Sequence, residues 1–176
     1  MGLKISEQYS IAPNKWSQSP SLNQARRCPG SIALPSKIVF CFCGSYTFRK
    51  ELNSIERLEN EREWIFLPLN NEIKRVSDLG AVLYEGSILL FGGTNSSPGT
   101  MYKFSEEGEL IEDLSEGRAI PRFICFWPVI VQDKRVLTLG ESEADPGELW
   151  LKSFDGKEWI FIWTKSLSSQ WNSYIS

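Results

Sequence analysis

Ile88-Leu89-Leu90-Phe91-Gly92-Gly93 decides the fold. Its four consecutive apolar residues lack the polar alternation of a half-exposed strand, so they suit a short strand covered on both faces, and the glycines end it where the chain must turn. The same arrangement recurs upstream as Ile38-Val39-Phe40-Cys41-Phe42-Cys43-Gly44 and downstream as Val136-Leu137-Thr138-Leu139-Gly140. Gly44, Gly93 and Gly140 stand 49 and 47 residues apart. Arg26, Arg75 and Arg122, each opening a segment that runs into an apolar stretch, are separated by the same 49 and 47 residues. Tryptophan gives a third landmark: Trp16 and Trp64 are 48 apart, and Trp64 and Trp159 are 95 apart, with Ile111 in the middle place. Asn60, Gly108 and Gly156, spaced by 48, precede these positions and supply residues that tolerate a left-handed turn. A period near 48 is the mark of a repeat architecture.

Within the middle repeat, turn residues and β-branched or aromatic enrichment predict four strands. Strand a lies near Ala81 to Leu83 and strand b at Ile88 to Phe91, with Glu85-Gly86 between them; strand c follows at Met101 to Phe104 and strand d at Leu110 to Leu114. Four short antiparallel strands per period make one blade of a propeller.

An arginine before the first strand, a glycine pair after the second, and a spaced aromatic and tryptophan make this pattern resemble a kelch repeat. Gly92-Gly93 and Tyr102 carry the resemblance in the second repeat, Cys43-Gly44, Trp64 and the stretch Leu52-Asn53-Ser54-Ile55-Glu56-Arg57 in the first, and Leu139-Gly140, Trp150 and Trp159 in the third. WD40 repeats are disfavoured by the lack of a Trp-Asp dipeptide and of any histidine. The resemblance implies an all-β fold, an incomplete β-propeller of about three and a half four-stranded kelch-type blades. Its parts are a half-blade at 1–19, repeats at about 24–69, 71–117 and 119–163, and a tail at 164–176.

Composition limits the function. With 41% hydrophobic and 23% charged residues in 176, the chain suits one folded domain rather than a disordered one. A net charge of −3 with both signs dispersed leaves no basic stripe for phosphates, so nucleic acid is not expected as a partner. No transmembrane segment is expected, since no run approaches the roughly 20 apolar residues that span a bilayer. The start has no apolar signal core, and the four irregularly spaced cysteines suit a reducing, cytoplasmic setting. Met1-Gly2-Leu3-Lys4-Ile5-Ser6 matches the N-myristoylation pattern, although no polybasic second anchor follows; the alternative is an ordinary first strand.

Chemistry is sparse. Without histidine there is no Ser-His-Asp or Cys-His site, and the copper chemistry of galactose oxidase, which some kelch-type propellers resemble, is not expected. No cofactor or metal is expected. Cys41 and Cys43 alternate onto one face of a strand, but no second pair completes a soft-metal site, so packing is the favoured role. Ser153-Phe154-Asp155-Gly156-Lys157-Glu158-Trp159 is one residue short of a sialidase Asp-box and reads as a c–d turn. The Gly92 to Thr100 stretch lacks the lysine and helix of a phosphate loop, and Asn95-Ser96-Ser97 matters as a glycosylation sequon only in a secreted protein.

In a four-stranded meander the b–c and d–a connections share one end of each blade, and loops on a rigid scaffold are where recognition resides. The first b–c loop offers Tyr46, Phe48, Arg49 and Lys50, an aromatic and cationic set, and the third offers Glu141, Glu143, Asp145 and Glu148. Arg26, Arg75, Arg122, Gly44, Gly92, Gly93, Gly140, Trp16, Trp64 and Trp159 read as repeat-structural residues, the arginines bonding carbonyls or acids between blades. The expected function is a non-enzymatic protein-interaction scaffold. The alternative is a structural subunit of a permanent complex, and a carbohydrate-acting enzyme stands third. About three and a half blades leave both ends open, to be completed by another chain, another copy or a longer parent chain.

Overall fold

A computed structural model describes residues 2–47, 50–68, 73–93, 99–116, 123–132, 135–142 and 148–166, with the backbone alone at 123–132, 140–142 and 163–166. All regular structure among them is β. The chain divides into two compact units, residues 1–79 and 80–176.

The first unit opens with a hairpin of β1 (Ser6–Ser10) and β2 (Lys15–Ser19). A four-stranded sheet follows, built from β3 (Gly30–Ala33), β4 (Val39–Phe42), β7 (Ile55–Glu59) and β8 (Glu63–Leu67) in that spatial order. Between β4 and β7 the chain makes a separate small hairpin, β5 (Ser45–Thr47) with β6 (Lys50–Glu51). The second unit holds two more four-stranded sheets, ordered as the chain runs. One comprises β9 (Leu79–Tyr84), β10 (Ser87–Gly92), β11 (Thr100–Phe104) and β12 (Leu110–Asp113). The other comprises β13 (Phe123–Gln132), β14 (Arg135–Ser142), β15 (Glu148–Phe154) and β16 (Trp159–Ser166).

The three sheets share one register. Val39, Ile88 and Val136 lie opposite Leu58, Phe104 and Phe154, which in turn lie opposite Trp64, Leu110 and Trp159. Leu110, not Ile111, therefore occupies the tryptophan's place in the middle sheet, and Ile111 is exposed. The register shift between Lys103 and Phe104 moves the pairing by one residue, which spacing in sequence does not reveal. The turns ahead of these positions use positive φ as their residue types allow: Asn60 at +51°, Gly108 at +91° and Gly156 at +97°. At the last turn the Asp155 carboxylate accepts N–H bonds from Lys157 (2.9 Å) and Glu158 (3.1 Å), which hold its pKa below the ordinary value.

Residues directly opposite across antiparallel strands share a face. In the first unit Cys41, Leu58 and Trp64 cluster with Leu22, and Trp64 donates its Nε1–H to Pro20 O at 2.9 Å. In the second unit Leu89, Phe91 and Met101 of one sheet pack on Val136 and Phe154 of the other, with Trp159 at 5.1 Å from the Phe91 ring. The opposite face of β10–β11, with Ile88, Leu90, Tyr102 and Phe104, is also fully buried, which explains the unbroken apolar run of β10. No helix among the described residues is long and apolar enough to cross a membrane.

Candidate recognition hairpin and its buried root

The connection between β4 and β7 begins where Cys43 and Gly44 both take positive φ, +53° and +89°. Gly92 and Gly93 do the same at the end of β10, at +109° and +101°. The paired glycine is thus a backbone requirement, and Cys43 meets it despite its Cβ. At Gly44 no side chain fits, because a Cβ there would stand 2.7 Å from Arg27 O.

Past this bend, β5 and β6 are tied down by backbone bonds from other segments. Ser45 and Arg27 exchange N–H···O bonds of 2.9 and 2.8 Å, Leu52 donates to Gly44 O (2.8 Å), and Gly44 donates to Val76 O (2.9 Å). Gly2 donates its N–H to Tyr46 O at 2.8 Å and is buried so closely on Arg26 that a Cβ would stand 2.8 Å from its backbone. Close packing on Arg26 therefore requires glycine at position 2. The connection after β4 meets the segments leading into β3 and β9, so the root of the hairpin is held from three sides.

Arg26 fills the centre of that root. Its guanidinium donates Nη1–H to Cys43 O (2.7 Å) and Ser54 O (3.1 Å), and Nη2–H to Ser54 Oγ (3.2 Å) and Glu56 Oε1 (2.6 Å). Cys43 and Ser54 flank the excursion, so one side chain clamps its two ends. Glu56 also accepts the backbone N–H of Asn23 (2.6 Å) and Gln24 (3.0 Å). The Arg26 and Glu56 side chains are 1% and 0% exposed, so the charges are compensated by each other and by these bonds. Arg26 contacts carbonyls and an acid of its own unit. Arg75, by contrast, is exposed beside a fully buried Val76. The physical reason lies on β11, where register puts Tyr102 at the place of Glu56 and leaves no carboxylate to pair with an arginine. Arg122 lies outside the described residues.

At the tip, Lys50 is exposed and places its Nζ 5.8 Å from the centroid of the half-buried Tyr46 ring. Phe48, Arg49, Glu143 and Asp145 lie outside the described residues, and Glu141 and Gly140 are described only as backbone of β14, paired with Leu149 and Trp150. Trp64 is buried and Trp159 partly so, whereas Trp16 on β2 is 64% exposed.

Cys41 and Cys43 do not form a reactive pair. Burial pushes their thiols up to about 11 and about 12, so neither is a thiolate near neutral pH. Among the described residues no group of three or more His, Cys, Asp or Glu side chains is placed to hold a metal ion. Sequence reasoning passed over Glu56 as a functional position, because β7 reads Ile55-Glu56-Arg57-Leu58-Glu59 and nothing in that run of three charges marks Glu56 as the buried one that needs a cation. Neither a known protein-family model nor a curated protein matches this chain.

Proposed function

We propose that the chain is a stretch of kelch-type β-propeller serving as a non-enzymatic, cytoplasmic protein-binding scaffold, with the β5–β6 hairpin as a contact for a protein partner. The observation that carries this reading is the rooted hairpin: a connection with an aromatic and a cation at its tip, fixed at its base by Arg26 and by backbone bonds from three segments. A loop already held in one conformation loses little entropy on binding, and Tyr beside a cation is a mixture enriched at interface hot spots. Three four-stranded sheets in one register, repeated along the chain, support the propeller part of the reading.

The test is a parallel capture from cytosolic extract with the parent chain and with Tyr46→Ala/Lys50→Glu. Loss of specific captured proteins at unchanged circular dichroism and urea midpoint is the expected result. Equal capture by both would overturn the assignment of this hairpin. The alternative, a structural subunit, draws on the exposed apolar side chains of β2 and β16, Trp16, Phe161 and Ile162.

A further inference from the structure

Tyr9 and Trp16 on the β1–β2 hairpin repeat a pair that occurs twice more. Tyr9 lies opposite Trp16 as Leu58 lies opposite Trp64 and Phe154 opposite Trp159. The ring centroids of Tyr9 and Trp16 are 5.1 Å apart, and those of Phe154 and Trp159 are 5.3 Å apart. Trp64 and Trp159 are covered, by Leu22 and Phe91 among others. The third pair is not: Trp16 is 64% and Tyr9 43% exposed. Yet the other face of the same hairpin, with Ser6, Gln8 and Ser19, lines a groove of about 340 Å³ floored by Leu58 and Trp64.

The kind of surface that covers such a pair is visible in the second unit. Phe154 and Trp159 pack with Val136 on the face of β10–β11 formed by Leu89, Phe91 and Met101. Register carries that face forward into the next sheet, where Leu137, Leu139 and Leu151 occupy the corresponding places, with Leu149 and Ile160 on the same side. These four leucines are half-buried, and Ile160 is 37% exposed. One chain therefore carries both halves of a single packing: an uncovered aromatic pair, and an aliphatic face of the type that covers one.

We propose that a second copy of this chain covers the Tyr9–Trp16 face with its Leu137–Leu139–Leu149–Leu151 face, continuing between copies the packing that joins the two sheets of the second unit. The two surfaces differ, so the contact is heterologous and runs head to tail. It does not involve the β5–β6 hairpin and stands independently of that hairpin's role.

Sedimentation of the full chain across a concentration series tests this. The parent should exceed the 20.1 kDa monomer increasingly with concentration. Trp16→Asp removes the aromatic surface and Leu139→Asp the aliphatic one, and each variant alone should remain monomeric. Mixed in equal amounts they should form a dimer and nothing larger, because each brings the surface the other lacks. Ile160→Lys, at a more exposed place on the aliphatic face, replaces Leu139→Asp if that variant fails to fold by circular dichroism. A parent monomeric at every concentration, a mixture that stays monomeric, or an aliphatic-face variant that still self-associates would each overturn the proposal; the last would indicate contact between two aromatic faces.

Discussion

Replacing Glu56 with alanine should destabilise the first unit more than any exposed substitution can. The carboxylate accepts Arg26 Nη2–H at 2.6 Å, Asn23 N–H at 2.6 Å and Gln24 N–H at 3.0 Å, and the Arg26 and Glu56 side chains are shut off from water. Alanine leaves a buried guanidinium without its counter-charge and two N–H groups without their carboxylate acceptor, and breaking a buried pair in this way costs about 3–5 kcal/mol. Against a total stability of roughly 5–15 kcal/mol for a domain, that is about a fifth or more. Glu56→Gln keeps an oxygen at the same place but turns charge-assisted bonds into neutral ones, so its cost is the difference between the two classes, about 1–2 kcal/mol. Urea unfolding read through hydrogen exchange at the Gly44, Ser45 and Leu52 amides follows the unit concerned. Alanine and glutamine variants both within about 0.5 kcal/mol of the parent, or glutamine worse than alanine, would refute the reasoning.

Trp64→Ala and Trp159→Ala should each cost about 3–5 kcal/mol in urea titrations, while Trp16→Ala, measured at a dilution that keeps the chain monomeric, should stay within about 0.5 kcal/mol. Cys43→Gly relieves a left-handed cysteine and should raise the urea midpoint, with a gain of about 1 kcal/mol, whereas Gly44→Ala should lower it by more than that. Iodoacetamide at pH 8, followed by mass spectrometry of the peptides, should label exposed Cys28 well before Cys41 or Cys43, whose thiolate fractions are about a thousandth or less. Since burial raises both thiols above the ordinary 9.0, their contribution to stability is complete below pH 9 and fades as pH climbs through about 11 and about 12. Comparing urea midpoints at pH 8 and pH 10.5 for the parent and for Cys41→Val/Cys43→Gly checks the sign: the parent should lose more.

The all-β class was legible because its signals are local. β10 falls on a continuous apolar run, β11 and β12 on short runs with apolar residues bounded by turn residues, and Asn60, Gly108 and Gly156 mark turns through their own tolerance for positive φ. Reading Cys43-Gly44 as a glycine pair worked because backbone shape, rather than residue type, is what the position demands. The pairings that depend on register were less visible. A shift on β11 exchanged Ile111 for Leu110, and the arginine interval led to exposed Arg75, whereas Arg26 is buried against Glu56. The β5–β6 hairpin was read as loop because strands of three and two residues leave no periodicity, and the bonds that hold its root come from segments distant in the chain, around Gly2, Arg27 and Val76.

The meander order has a kinetic consequence. Every strand in the three large sheets pairs with its neighbour along the chain, the sole detour being the β5–β6 insertion. Each pairing closes a short loop, so the entropy opposing it is small, and all-β chains of this connectivity escape the long searches that slow sandwiches with distant partners. During synthesis a sheet can be complete soon after its fourth strand leaves the ribosome. In the second unit the β9–β12 sheet then waits with Leu89, Phe91 and Met101 uncovered until β14 and β15 deliver Val136 and Phe154. The vulnerable moment in the life of this chain is that pause, when a finished sheet has one greasy side and its cover is still being translated.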